Sequence, residues 1–102
     1  MTLSAISKNN KVIRLTEERW LHIVESHDEM AGYFEEVLET IENPDFITKG
    51  RVDELQATKY YEDVKKHLVV VYKEEVKGGF VITAFFTSKI EKIKRRGIIW
   101  QS

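Results

Sequence analysis

The sequence predicts an α+β domain in which two N-terminal helices pack on one face of an antiparallel sheet of about four strands. Two observations predict this class. Apolar residues recur at helical spacing between residues 16 and 42, and after residue 46 they alternate with the period of two that is typical of strands. The element order is therefore a strand, two helices and a run of strands, as in domains whose helices cover one face of a sheet.

The first helix is predicted to begin after Thr16, a good N-cap, with Glu17 and Glu18 near the positive end of the helix dipole. We expect it to continue to Met30. Its buried stripe should consist of four residues at i, i+3, i+4 and i+7, namely Trp20, Ile23, Val24 and His27. A second helix is predicted from Tyr33 to Glu42, and the Asn43-Pro44 pair ends it because proline cannot continue a helix.

Strands are predicted on both sides of the helices. The run from Leu68 to Tyr72 is β-branched and apolar, as expected of a central strand that is covered on both faces. Gly78-Gly79 indicates a hairpin turn. In the strand over residues 80–87, alternation places Phe80, Ile82, Ala84 and Phe86 on one face and Val81, Thr83, Phe85 and Thr87 on the other. Strands over residues 46–48 and 56–62 complete the run of about four that follows the helices. A further strand is predicted before the helices, over residues 11–15, and another in the tail, over residues 97–100, after a short basic helix.

The composition favours one domain. The chain has 102 residues, and we expect residues 1–10 to be a flexible N-terminus and residues 11–102 to form a single domain. It contains no cysteine, which excludes disulfides and thiolate metal ligands. No apolar run approaches the roughly 18 residues that span a bilayer, and no signal-peptide pattern is present. We therefore expect a cytoplasmic protein that does not associate with membranes.

The net charge of −1 is unevenly distributed. The segment from Asp28 to Asp45 holds seven acids and no Lys or Arg, whereas the segment from Lys89 to Arg96 holds five bases and one acid. A local basic stripe can attract phosphate even on a nearly neutral protein, because screening confines this attraction to about 10 Å. The alternative interpretation is an ordinary solvated face.

The three histidines are the first candidates for chemistry. His22 and His27 are five residues apart, about 140° around a helix axis, so one continuous helix does not present both to a single metal ion. We therefore expect no metal site and no cofactor. His27 should face the sheet, either as a structural histidine or as a catalytic one, and His22 should face outward. His67 precedes the central strand and is interpreted as a loop residue.

Hydroxyls and cations are the other candidates. Thr83 and Thr87 lie among apolar neighbours, where a hydroxyl needs a partner, although threonine is also simply a good strand former. Tyr60 and Tyr61 alternate faces, so at most one of them can look outward and stack on a base. Phosphate could be held by bases of the tail, namely Lys89, Arg95 and Arg96.

Three segments together resemble a known family. They are RLTEERWLHIVESHDEM in the first helix, NPDFI after the second, and VVVY…GGFVITAFFTSKI…GIIW in the strands. Their order and spacing resemble the phage-associated members of the barnase–EndoU–colicin–RelE-like nuclease group over approximately residues 13 to 100. Two positions depart from the family pattern: Asp28 stands where proline is frequent, and Phe85 or Phe86 stands where tyrosine is common.

The resemblance implies a RelE/barnase-like fold and a metal-independent endoribonuclease. Its reaction is a transesterification that leaves a 2′,3′-cyclic phosphate and a 5′-hydroxyl. The resemblance assigns His27 as general base or acid, with His22 as its partner or a phosphate contact. Thr83 would take part in catalysis by orienting phosphate oxygens, and the RNA would be bound by Thr87, Lys89, Arg96 and Tyr60.

Two function classes remain open at this point. One is the ribonuclease, acting as a phage effector or as the toxin of a toxin–antitoxin pair, with RNA as substrate and an antitoxin protein as partner. The other is a non-catalytic RNA- or protein-binding module of the same fold, favoured by the acidic second helix because dedicated RNA binders are usually basic. A homodimer formed through the strand that ends at Trp100, or through an exposed sheet edge, is compatible with both.

Overall fold

Seven strands form one mixed sheet in the computed structural model, which describes residues 2–102. The strands are β1 (Thr2–Ile6), β2 (Val12–Thr16), β3 (Phe46–Lys49), β4 (Leu55–Tyr61), β5 (Lys66–Glu75), β6 (Gly78–Thr87) and β7 (Ile98–Gln101). The helices are α1 (Glu17–Ser26), α2 (Phe34–Glu42) and α3 (Ile90–Lys94), with a 3₁₀ turn at Asp28–Met30. Within these described residues, no helix has the length and apolar character needed to cross a bilayer.

The predicted fold class is wrong. The sheet has the order β1-β2-β6-β5-β4-β3-β7, and it contains seven strands where about four were expected. It is mixed because β2 runs parallel to β6, with Ile13 opposite Gly79 and Arg14 opposite Phe80. Strands hold more of the chain than helices do, so the domain is mainly a sheet and not a helical layer on a small sheet.

Strand β1 lies in the segment 1–10 that we expected to be a flexible N-terminus. It pairs with β2 along its whole length, from Thr2 opposite Thr16 to Ile6 opposite Val12. Ala5 is buried on the side of the core, and the hydroxyl of Ser7 just beyond β1 donates to the Glu74 carboxylate. Met1 lies outside the described residues.

Helix α1 begins where the sequence predicts and ends earlier. Thr16 is its N-cap, and the Thr16 side-chain oxygen accepts a hydrogen bond from the Arg19 backbone N–H at 3.1 Å. The helix ends at Ser26 and not at Met30, because the His27 backbone leaves the helical region with φ −137° and ψ 77°. Helix α2 agrees with its prediction and ends before Pro44.

The sheet curves around α2. Lys8, in the turn after β1, places its Nζ 5.3 Å from the ring centre of Trp100 in β7, although β1 and β7 are the two outer strands. The Ile6 backbone N–H of β1 donates to the Glu42 carboxylate at the end of α2. We call the side of the sheet that faces α2 the helix face, and the opposite side the distal face.

Strand β5 is the central strand that the apolar run predicts. It is fourth of seven in the sheet, and Leu68, Val69, Val70 and Tyr72 have no exposed surface. Leu68, Val70 and Tyr72 join the core on the helix face, together with Ile23 of α1 and Val37 and Ile41 of α2. Their packing explains why the helices lie on this side.

A bulge in β6 changes which of its residues share a face. The β5–β6 pairing shifts by one residue between Val71 and Tyr72, so that Tyr72 is opposite Val81 and Val71 is opposite Thr83. Val81 therefore joins Ala84 and Phe86 on the helix face, whereas simple alternation assigned Val81 to the other side. The distal face of β6 carries Phe80, Thr83, Phe85 and Thr87.

Candidate functional site

An open cavity lies between α1 and the edge of β6. Its volume is about 290 Å³, and it is lined by Arg19, His22, Ile23 and Ser26 of α1 together with Ile82 and Thr83 of β6. Arg19, His22 and Ser26 follow i, i+3 and i+7, so they share one stripe of the helix. The structure thus brings together His22 and Thr83, two of the predicted site residues. We call this cavity the His22 cavity.

Arg19 is a residue of this cavity that the sequence reasoning missed. Strand β2 pairs with β6 only as far as Phe80, and beyond that point α1 packs against the edge of β6. The Arg19 guanidinium donates to the Ile82 carbonyl of that edge at 3.4 Å. The sequence signal was available, because Arg19 precedes His22 by three residues and therefore lies on the same helix stripe.

His22 is accessible. Its side chain is 64% exposed, and its Nδ1 is 3.9 Å from the Glu25 carboxylate, too long for a hydrogen bond. Thr83 is half-buried on the distal face opposite Val71. An exposed imidazole, a guanidinium and a hydroxyl around one open cavity can bind an anion and exchange protons with it.

His27 directly follows Ser26 at the C-terminal end of α1 but does not line this cavity. It is the C-cap residue, its side chain is 36% exposed, and its ring centre is 5.9 Å from that of Phe85 on the distal face. Its Nδ1 is 3.8 Å from the Glu29 carboxylate. Trp20 does not seal it, since the Trp20 ring packs edge-on against Phe34. His27 thus faces the sheet and keeps a path to solvent.

The remaining predicted residues divide into two places. Thr87 lies opposite His67 in the β5–β6 ladder, and its side-chain oxygen accepts a hydrogen bond from the Lys89 backbone N–H at 3.0 Å. Tyr60 is 40% exposed and lies on the distal face, as Thr87 does. Tyr61 points to the helix face, where its hydroxyl donates to the Glu36 carbonyl of α2. Arg96 follows α3 and is exposed. Within the described part of the chain, no contact joins its side chain to any of these groups.

His67 is not a loop residue, and that interpretation of the sequence is wrong. It belongs to β5, with Tyr60 opposite it on one side and Thr87 on the other. Its imidazole centre lies 5.0 Å from that of the Tyr60 ring. Burial lowers the pKa of His67 below its ordinary value. The Asp45 carboxylate acts against this shift, and the Lys94 ammonium adds to it.

Acidic groups and histidines do not cluster as metal ligands. Among residues 2–102, no three side chains of His, Cys, Asp or Glu lie close enough together to hold a metal ion. The Glu25 carboxylate approaches the His22 imidazole, the Glu29 carboxylate approaches the His27 imidazole, and the Asp45 carboxylate acts on His67.

The chain belongs to a nuclease family. Residues 4–101 match the family model described as phage-Barnase-EndoU-ColicinE5/D-RelE like nuclease2, which confirms the resemblance that the sequence segments indicate. No curated protein and no solved structure was found to match. The family relation therefore covers nearly the whole chain, including every residue of the His22 cavity.

Proposed function

We propose that this protein is an endoribonuclease that cleaves RNA by transesterification without a metal ion. The observation that carries the proposal is the His22 cavity, in which an imidazole, a hydroxyl and a guanidinium surround a space open to solvent. His27 adds a second imidazole farther along α1, against Phe85. Membership of a nuclease family supports the same conclusion.

The reaction requires two proton transfers and stabilisation of negative charge. A general base takes the proton of the RNA 2′-hydroxyl, the 2′-oxygen forms a bond to phosphorus, and the bond to the 5′-oxygen breaks as an acid protonates that oxygen. His27 acts as general base or acid, with His22 as its partner or as a phosphate contact. Arg19 stabilises the charge on the phosphorane, and Thr83 orients a phosphate oxygen.

RNA binding extends along the distal face in this proposal. Thr87 and the Lys89 ammonium contact phosphate beyond the cleavage site, and Tyr60 offers a partly exposed ring. Arg96 contributes positive charge at the end of α3 without touching the site.

The test is cleavage of RNA by the purified protein in EDTA. We expect the products to carry 2′,3′-cyclic phosphate and 5′-hydroxyl ends, and His27→Ala to lower the cleavage rate at least 100-fold, as is typical of a lost acid–base group. His22→Ala should also lower it. Glu35→Gln is the control, because Glu35 is exposed on α2 and does not line the cavity.

A substrate control separates the proposed reaction from hydrolysis. RNA in which the nucleotides at the cut sites lack the 2′-hydroxyl should not be cleaved, because the nucleophile is missing. Cleavage of such a substrate would contradict transesterification. Failure to cut any RNA tested, with a folded protein, would contradict the proposal as a whole.

A second candidate function is a non-catalytic RNA- or protein-binding module. It is favoured by the distances of 3.9 Å and 3.8 Å between the His22 and His27 rings and their nearest carboxylates, because neither imidazole is held by a hydrogen bond to these groups. In this case the protein has no cleavage activity to lose, and His27→Ala should alter only its stability. RNA affinity that does not change between low and moderate salt would exclude phosphate contacts as its main source.

We further propose that the ribonuclease acts in the cytoplasm as a toxin or a phage-borne effector. Expression of the wild-type chain should then slow bacterial growth, and expression of His27→Ala at the same level should not. A protein antitoxin encoded beside it should restore growth. Equal growth with both forms would contradict an effector role.

A further inference from the structure

Three side chains on the distal face form a group to which the cleavage chemistry assigns no common role. We call Tyr60, His67 and Thr87 the His67 patch. They are successive neighbours across three strands, since Tyr60 of β4 is opposite His67 of β5, which is opposite Thr87 of β6. Side chains directly opposite one another in a ladder point to the same face, so the three form one continuous row.

The patch combines a flat ring with groups that form hydrogen bonds. The Tyr60 and His67 rings meet at 62° with centres 5.0 Å apart, and Tyr60 keeps 40% of its surface exposed. A neutral imidazole carries one donor and one acceptor. The Thr87 oxygen already accepts the Lys89 N–H, so its hydroxyl proton remains able to donate.

Charges of both signs surround the patch. The Asp45 carboxylate acts on His67 more strongly than the Lys94 ammonium does, and it accepts the Tyr60 backbone N–H at 2.8 Å. The Glu62 carboxylate acts on the Tyr60 hydroxyl, and the Lys89 backbone N–H is bonded to Thr87. A partly exposed aromatic ring beside groups that form hydrogen bonds is suited to the uncharged base of a nucleotide.

The patch is continuous with the cleavage site. Thr87 follows Phe85 and Thr83 on the distal face of β6, and Phe85 contacts His27. Four strand residues span about 13 Å, so Thr83 and Thr87 are separated by a distance that a short stretch of RNA can cover. An RNA strand held in the His22 cavity would therefore reach the His67 patch.

We propose that the His67 patch is a base-binding subsite, which takes the base of an RNA nucleotide flanking the cleaved bond. This proposal rests on the proposed ribonuclease function for the position of the cut. Tyr60 stacks on the base, His67 reads its edge by hydrogen bonds, and Thr87 with Lys89 contacts the adjoining phosphate. His67 is thus a specificity residue, distinct from the histidines that transfer protons.

The first experiment measures binding without cleavage. Four fluorescent hexanucleotides, each of one base and fully 2′-O-methylated, cannot undergo transesterification, so their Kd values are independent of activity. We expect Tyr60→Ala to raise Kd about 10-fold, as loss of one stacked base typically does, and Tyr60→Phe to leave it nearly unchanged. His67→Ala should reduce the differences in Kd among the four bases.

Controls separate recognition from folding. Tyr61→Phe is the matched control, because Tyr61 lies next to Tyr60 but faces α2. Thermal unfolding of each variant identifies any that fails to fold, and Tyr60→Leu, which removes the ring but keeps an apolar side chain of similar bulk, replaces Tyr60→Ala if that variant unfolds. Unchanged binding by folded Tyr60→Ala, or equal losses in Tyr60→Phe and Tyr61→Phe, would overturn the proposal.

The second experiment distinguishes this subsite from the catalytic proposal. In cleavage assays, His67→Ala should raise KM about 10-fold while kcat changes little, because a base contact is made equally in the ground state and the transition state. A loss confined to kcat would overturn the subsite and make His67 a proton-transfer residue. If the protein cuts no RNA but binds hexanucleotides through Tyr60, the subsite stands and the ribonuclease fails.

Discussion

The rings of His27 and Phe85 pack against each other with their centres 5.9 Å apart, and this contact joins the C-terminal end of α1 to the distal face of the sheet. The next residue, Phe86, points the other way and meets the Tyr33 ring edge-on at 5.0 Å, where both rings are half-buried against the helix-face core. Two consecutive phenylalanines therefore serve different parts of the molecule, one at the proposed site and one in the helix-face core.

Because the two rings lie in different places, replacing each of them by leucine should affect different properties, activity at Phe85 and stability at Phe86. Phe85→Leu should lower kcat/KM for RNA cleavage about 10-fold, because His27 loses its aromatic partner, and should change stability little. Phe86→Leu should cost about 1 kcal/mol of unfolding free energy, because a packed core ring is replaced by a smaller side chain, and should leave activity intact. Urea denaturation and cleavage kinetics on both variants provide the measurement, and the reverse pattern would contradict the assignment of faces.

A second prediction concerns Tyr72 in the centre of the core. Its side chain has no exposed surface, and its hydroxyl has no hydrogen-bond partner among residues 2–102. Burial accordingly raises the pKa of Tyr72. Tyr72→Phe keeps the ring and removes an unsatisfied polar group, so we expect the unfolding free energy to rise by about 1 kcal/mol. A decrease in urea denaturation experiments would mean that the hydroxyl stabilises the fold.

The third prediction concerns the stability of a Tyr61 variant, because the Tyr61 hydroxyl forms hydrogen bonds. It donates to the Glu36 carbonyl at 3.0 Å and lies 3.0 Å from the Thr40 hydroxyl. Tyr61→Phe should therefore destabilise the protein by about 1 kcal/mol, in contrast to Tyr72→Phe. Denaturation of both variants under one set of conditions makes this comparison, and similar shifts in both would contradict it.

The buried Tyr61 hydroxyl also predicts that the unfolding free energy depends on pH. Burial is the main reason that its pKa rises to about 12, with the Glu39 and Glu36 carboxylates adding to the shift and the Thr40 bond opposing it. The unfolded chain releases this proton near pH 10, so stability should fall as pH rises from about 10 towards 12. Tyr61→Phe should lose part of this dependence, which denaturation at about pH 8 and about pH 11 would reveal.

Local patterns predicted the positions of most elements but not their arrangement. The N-cap at Thr16, the stop at Pro44 and the central run Leu68–Tyr72 each depend on a few adjacent residues, and each lies where the pattern indicates. The pairing of Ile13 with Gly79 joins residues far apart in the chain, and no local signal carries it. This is why the sheet was predicted to be smaller and antiparallel.

One bulge in β6 sets which residue of β5 lies opposite Thr87. Counting back from the Gly78-Gly79 turn without a bulge would place Lys66 opposite Thr87. The extra residue at Ile82 places His67 there. A single-residue shift exchanges the two faces of a strand, so it decides whether an imidazole or an ammonium faces Thr87. Neither glycine nor proline marks Ile82, so the sequence offered no sign of the bulge.

The last prediction concerns the cap that holds α1 in position. The Thr16 side-chain oxygen accepts the Arg19 N–H, and the Arg19 side chain reaches the Ile82 carbonyl at the cavity wall. Thr16→Ala should cost about 1 kcal/mol of unfolding free energy because the first turn of α1 loses its cap. The first turn would then fray, so amide hydrogen exchange at Arg19 should become faster, and cleavage should fall several-fold as Arg19 loses its fixed position.

Thr16→Ser is the matched control because serine caps a helix as well as threonine does. It should retain wild-type hydrogen exchange at Arg19 and wild-type cleavage. Thr16→Ala should leave the His27–Phe85 contact in place, since that contact lies at the opposite end of α1. If Thr16→Ala accelerates exchange at Arg19 without any loss of cleavage, the cap stabilises the helix alone, and the proposed role of Arg19 at the phosphate is wrong.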